Sequence, residues 1–181
     1  MNRFLFIISI LFLTTLSARI ISVKEDLYEL NHLSRQQYEI LIQTWRYAKR
    51  YNLQYTMTAI VWQESKFGKY LINLQDPSCG YFHKLLPIYA KELGLKPNNW
   101  NMSRVCQSLL NYDTSFMVAL QTLQRKREWC KLKGYHGSMN WKCMIIAYNG
   151  WDKKGLKYYK NIVNKIRALK IWLDRKGIKG F

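Results

Sequence analysis

Apolar positions recur at helical intervals along most of the chain beyond residue 34. In QYEILIQTWRYAKRYN, Tyr38, Leu41, Ile42, Trp45 and Ala48 fall on one helical face. Ser34-Arg35-Gln36-Gln37 opens that helix as a capping box, and Asn52 is a suitable stop. A second helix starts near Tyr55, with Met57, Ile60, Val61 and Glu64 spaced i, i+3, i+4 and i+7. Gly68 weakens its continuation, and Ile72 to Gly80, which contains Pro77, reads as a loop. A third helix is predicted over Pro87 to Leu93, with Pro in its first turn and Gly94 at its end. KPNNWN is a linking turn before a short helix over Ser103 to Leu110. Asp113 caps a longer helix through Lys133, closed by Gly134. Ser138 opens another, broken at Asn149-Gly150, and the last runs from Gly155 to Arg175. Few stretches alternate with period two, and none is bounded as a hairpin. Tyr81 to Leu86 is a candidate short strand within a loop. The pattern predicts a mostly α single domain with at most a short β element.

The first residues change this picture in one respect. MNRFLFIISILFLTTLSA places Arg3 ahead of an apolar run from Phe4 to Leu16 and ends on small residues, the layout of a secretory signal over residues 1–18. The run is shorter than the roughly 20 residues that span a bilayer. Leu16 is not the small residue favoured three back from a cut, so an uncleaved membrane anchor is the alternative. Cleavage leaves residues 19–181 as one domain outside the cytoplasm, periplasmic or extracellular. Cys79, Cys106, Cys130 and Cys143 agree, an even count where disulfides persist. Four cysteines allow three connectivities, and buried free thiols are the competing reading. No Cys-x-x-Cys pair exists and the three His are scattered, so neither metal nor cofactor is expected.

Charge then narrows the partners. The chain carries 29 Lys and Arg against 11 Asp and Glu, a net +18. Such a field draws in polyanions. Export argues against nucleic acid and leaves wall polymers and anionic membrane surfaces as peripheral contacts. A monomer is expected. Arg125-Lys126-Arg127 and the Lys-rich last helix are most simply solvated faces.

Among so few acids, Glu64 is conspicuous because it extends an apolar stripe. Loss of water disfavours the charged carboxylate and raises its pKa, as general-acid cleavage of a glycosidic bond requires. A salt bridge to Lys66 or Lys69 is the competing account, and spacing alone favours it.

The sequence around it resembles the lytic transglycosylases of the soluble type, which share a fold with goose-type lysozymes. Glu64-Ser65 matches the Glu-Ser that ends a helix in that family. Gly80-Tyr81-Phe82-His83 occupies the place of a Gly-Leu-Met-Gln segment, with Gly80 identical. Leu86-Pro87 and Ala90 to Gly94 resemble the segment behind it. Ala147-Tyr148-Asn149-Gly150 matches an Ala-Tyr-Asn-Ala-Gly motif, except that Gly150 replaces Ala and Trp151 follows. Tyr158 to Val163 resembles the closing stretch. The resemblance covers about residues 50 to 170 and implies a lysozyme-like helical domain acting on peptidoglycan.

The resemblance further implies that Glu64 acts first as acid and then as base, cutting the bond between N-acetylmuramic acid and N-acetylglucosamine with closure of a 1,6-anhydro ring. Substrate contacts would fall to Tyr148 and Asn149 and to Gly80, Tyr81, Phe82 and His83. Ser65 has a competing role as a helix cap, Tyr148 as a core aromatic and His83 as a loop residue. Asn73 or Ser78 would position the acetamido group. Asp76 could position water, as aspartates do in goose-type lysozymes, which makes hydrolysis the alternative; Asp76-Pro77 is otherwise an ordinary turn start. A basic membrane-active protein or envelope adaptor is the non-enzymatic alternative, and it would not need Glu64.

Overall fold

The computed structural model describes residues 23–73 and 75–177, so the leader read in residues 1–18 lies outside the described residues. Helix α1 covers residues 23–31. After it come α2 (Arg35–Lys49), α3 (Gln54–Ser65), strands β1 (Ile72–Asn73), β2 (Ser78–Cys79) and β3 (Lys84–Leu85), then α4 (Leu86–Glu92), α5 (Asn99–Leu109), α6 (Tyr112–Leu132), α7 (Gly137–Asn149) and α8 (Lys153–Arg175). The architecture is mostly α, with one main hydrophobic core shared by α2, α3, α6, α7 and α8.

Local signals explain most helix ends. The capping box at Ser34 forms: Ser34 Oγ accepts from the Gln37 amide (3.3 Å), and Gln37 Oε1 accepts from the Ser34 amide (3.0 Å). The buried face of α2 is Ile40, Leu41, Thr44, Trp45 and Ala48. Tyr38, expected on that face, is exposed at the rim, where its ring meets Trp172 edge-on. Helix α6 is capped by Asn111, whose Oδ1 accepts from the Thr114 amide (3.0 Å). Asp113 sits inside the first turn, where its charge still complements the helix dipole. Asn98 starts α5 four residues earlier than the sequence pattern implies, because its side chain caps the Asn101 amide (2.9 Å).

Helix α3 departs further from expectation. Its residues Thr56 to Trp62 are all buried, so the apolar stripe is one side of a helix enclosed all round. Helices α2 and α8 pack against it. Helix α1, which precedes the first helix that the pattern predicts, is nine residues long and marginal by itself. Ion pairs hold it: Lys165 Nζ to Asp26 Oδ1 (3.0 Å) and Lys66 Nζ to Glu29 Oε2 (2.8 Å). The Trp172 indole adds a hydrogen bond to Asn31 Oδ1 (3.1 Å).

Ile72 to Gly80, read as a loop, and Tyr81 to Leu86, read as a candidate short strand, together form an antiparallel sheet in the order β1-β2-β3, with β3 inside the second segment. Ile72 pairs with Cys79 and Asn73 with Ser78; Ser78 then pairs with Leu85 and Cys79 with Lys84. Two-residue strands carry no alternation that a sequence pattern can register. Two disulfides, Cys79–Cys106 and Cys130–Cys143, select one of the three connectivities. The first ties the sheet to α5 over a small satellite core of Val105, Leu109 and Val118. Both are compatible with an exported protein. Among the described residues, no helix is long and apolar enough to cross a membrane.

Candidate active site

Helix α3 ends one residue after Glu64. Lys66 (φ 53°) and Phe67 (φ 56°) both take the left-handed conformation, and so does His83 (φ 45°) across the sheet. Each such non-glycine position is costly and persists only where the surroundings enforce it. Two of them follow the helix end that carries Glu64, and the third sets the His83 ring beside its carboxyl group. Ser65 completes the helix end: its Oγ donates to the Val61 carbonyl (3.2 Å) and accepts from the Gly68 amide (2.9 Å). It is fully buried, so its position serves the cap and offers no surface to a sugar.

Between the sheet, α4, α6 and the end of α7 lies a cavity of about 430 Å³. Glu64, Asn73, Asp76, Ser78, His83, Tyr148 and Asn149 all line it, although they come from α3, the sheet and α7. Helix α3 brings the acid from the core, the β1–β2 connection brings Asp76, and the last turn of α7 brings Tyr148 and Asn149. Asn73 Oδ1 accepts from the Gln75 amide (3.1 Å) and braces the turn that carries Asp76.

Gly80, Tyr81 and Phe82 lie outside this cavity. Gly80 (φ 87°) is pressed against α5 and α6; a Cβ there would stand 2.6 Å from the Leu109 carbonyl oxygen. Its close approach is to those helices. The Tyr81 ring packs on Tyr112. The Phe82 side chain is in the core, but its carbonyl accepts from the Tyr148 hydroxyl (3.3 Å) and so positions a cavity residue.

Glu64 is only 15% exposed at its side chain. Its pKa rises from the ordinary 4.5 to about 7, chiefly because burial strips water from the carboxylate. The Tyr158 hydroxyl opposes that rise, and the negative charge of Asp76 adds to it. The expected salt bridge is not made: Lys66 pairs with Glu29. Among the described residues, no Lys or Arg pairs with Glu64, and His83 Nδ1 stands 3.7 Å from its Oε2.

The tautomer of His83 follows from its other nitrogen. Nε2 lies 2.7 Å from the Tyr70 carbonyl, which can only accept, so Nε2 carries the proton. Burial holds the ring's pKa below its usual value. A neutral His83 therefore presents the Nδ1 lone pair toward Glu64, an arrangement suited to a protonated carboxyl.

Tyr158 opens the closing stretch of the motif pattern, and nothing local separates it from its Tyr and Lys neighbours. Folding places it beside Tyr148, ring centroids 6.1 Å apart. Burial, then the Glu64 charge, pushes both phenols well above their usual pKa. Both remain protonated; the Tyr148 proton goes to the Phe82 carbonyl, which leaves the Tyr158 hydroxyl, otherwise without a hydrogen-bond partner among the described residues, as the phenol that can donate to an anion on Glu64. Lys84, Glu92 and Lys126 also line the cavity; Glu92 falls in the Ala90 to Gly94 segment and Lys126 in the run read as a solvated face, whereas Lys84 carried no sequence signal. Lys84 Nζ bonds Glu92 Oε1 (3.1 Å) and Thr122 Oγ1 (3.2 Å), which fastens β3 to α4 and α6.

This arrangement can hold a proton near neutral pH and deliver it into an open, polar cavity. Among the described residues, no cluster of three or more His, Cys, Asp or Glu is placed to hold a metal ion. Comparison of the chain with protein-family models, curated proteins and solved structures finds no match.

Proposed function

We propose that the protein is an exported lytic transglycosylase that cleaves peptidoglycan glycan strands between N-acetylmuramic acid and N-acetylglucosamine. The observation that carries this reading is Glu64, a carboxyl whose pKa burial raises to about 7 at the edge of a polar cavity. The motif resemblance, including Ala147-Tyr148-Asn149 beside that cavity, supports it.

Glu64 first donates its proton to the bridging oxygen as the glycosidic bond breaks. The carboxylate left behind is stabilised by the Tyr158 hydroxyl. It then takes the proton of the muramoyl 6-hydroxyl while that oxygen bonds to the anomeric carbon, giving a 1,6-anhydro end. Protons balance with no water consumed. A pKa near 7 suits both halves, because the group gives and regains a proton at similar cost.

Hydrolysis is the second reading, favoured by Asp76: it lines the same cavity, and its charge is felt at Glu64. Mass spectrometry of fragments released from purified peptidoglycan separates the two, since anhydro ends are lighter by one water. Glu64→Gln keeps shape and loses the proton, so it should abolish release. Undiminished lysis by that variant would remove both enzymatic readings and leave a membrane-active or adaptor role.

A further inference from the structure

The cavity around Glu64 does not end at Asn149. It continues into a second hollow of about 500 Å³, and Glu92, Thr122, Lys126, Ala147 and Gly150 line both. The far wall is made by Trp129 and Trp151, whose ring centroids lie 5.4 Å apart at 76°. Both are too exposed to be core residues, at 40% and 53%. Each is also fixed. Trp129 precedes Cys130, whose disulfide to Cys143 ties the end of α6 to α7. Trp151 follows Gly150, which leaves α7 at φ 138°. Asp152 then caps α8 by accepting from the Lys154 and Gly155 amides (2.8 and 3.1 Å). Rigid exposed indoles present large contact area at little entropic cost.

The charges along the shared wall are unequal. Glu92 is engaged by Lys84 and by Arg125 Nη2 (3.0 Å). Lys126, which faces both hollows, has no carboxylate partner among the described residues.

We propose that this hollow is a distal saccharide subsite. A pyranose ring of the strand cut at Glu64 lies against the Trp129–Trp151 pair, and Lys126 receives a carboxylate substituent of that strand. Continuity with the Glu64 cavity names the occupant, because a chain seated in one hollow runs directly into the other. The apolar faces of a sugar ring suit indole, and the unpaired cation selects an acidic glycan over a neutral one. The inference rests on Glu64 acting on a polysaccharide.

Binding tests it apart from catalysis. The Glu64→Gln protein is co-sedimented with insoluble peptidoglycan and, separately, with chitin, which lacks carboxylates. Adding Trp151→Ala, at an exposed turn, or Trp129→Ala should raise Kd about tenfold on both polymers, whereas Trp→Phe at either position should hold it within about twofold. Lys126→Gln should weaken binding to peptidoglycan and leave chitin binding unchanged. Circular dichroism confirms that each variant is folded. Unchanged Kd in both Trp→Ala variants overturns the subsite, and equal effects of Lys126→Gln on the two polymers overturn the assigned carboxylate contact. If Glu64→Gln abolishes lysis while the Trp variants bind normally, the subsite alone falls. If Glu64→Gln still lyses, the proposed function falls first.

Discussion

Replacing Glu64 with Gln should stabilise the folded protein at pH 8 and leave its stability nearly unchanged at pH 4. The folded carboxyl has a pKa of about 7 against 4.5 for an ordinary one. Between those values the folded state binds the proton and the unfolded state releases it, so stability falls as pH rises from 4.5 to 7. Above pH 7 the folded chain carries a desolvated anion, and the full penalty is about 3 kcal/mol. Gln fills the same space without ionising and escapes that penalty. The difference between variant and parent should therefore grow from near zero at pH 4 to about 3 kcal/mol at pH 8. For a domain of this size that is a shift in Tm of roughly 6–12 °C. Thermal unfolding followed by circular dichroism at pH 4, 6 and 8 reads it directly. Comparing variant with parent at each pH removes the contribution of the other titrating groups. A Tm difference that stays constant across the three pH values refutes the reasoning, because it would mean that Glu64 is not held out of water.

The same electrostatics make opposite predictions for two neighbours. Tyr158→Phe removes the hydroxyl that favours the carboxylate and should move the alkaline limb of the pH–activity profile upward, whereas Asp76→Asn removes a repelling charge and should move it downward. Gly80→Ala forces a Cβ onto the Leu109 carbonyl at a positive φ and should destabilise the fold by roughly 2 kcal/mol or more in urea unfolding. Asp26→Asn leaves Lys165, 8% exposed at its side chain, without its carboxylate and should lower stability by about 3 kcal/mol in the same assay.

The seams of the fold account for what the chain could and could not disclose. Helix α2 announces itself through its apolar period and its capping box, which are properties of consecutive residues; α6 and α8 are legible as long helices, but their caps are Asn111 and Asp152 rather than residues the pattern named. Helix α1 and strands β1 and β2 have no such signal, and β3 is legible only as a candidate short strand over Tyr81 to Leu86. Asp26 and Glu29 form α1 against Lys165 and Lys66, residues far along the chain, and the strands are too brief to alternate.

At the site, helical spacing picked out Glu64 as a carboxyl attached to an apolar helix, and the motif resemblance added Asn73, Asp76, Ser78, His83, Tyr148 and Asn149. Spacing alone favoured a salt bridge over a raised pKa, because the choice depends on where Lys66 points. Tertiary structure decided it: Lys66 turns to Glu29, α2 and α8 close around α3, and Glu64 keeps a neutral histidine and a phenol for neighbours. Ser65, Gly80 and Phe82, adjacent in motif to the site, were turned inward by the same packing. Residue type and local period are written along the chain. Solvation and long-range partners exist only once distant segments meet, and they set the chemistry that Glu64 can perform.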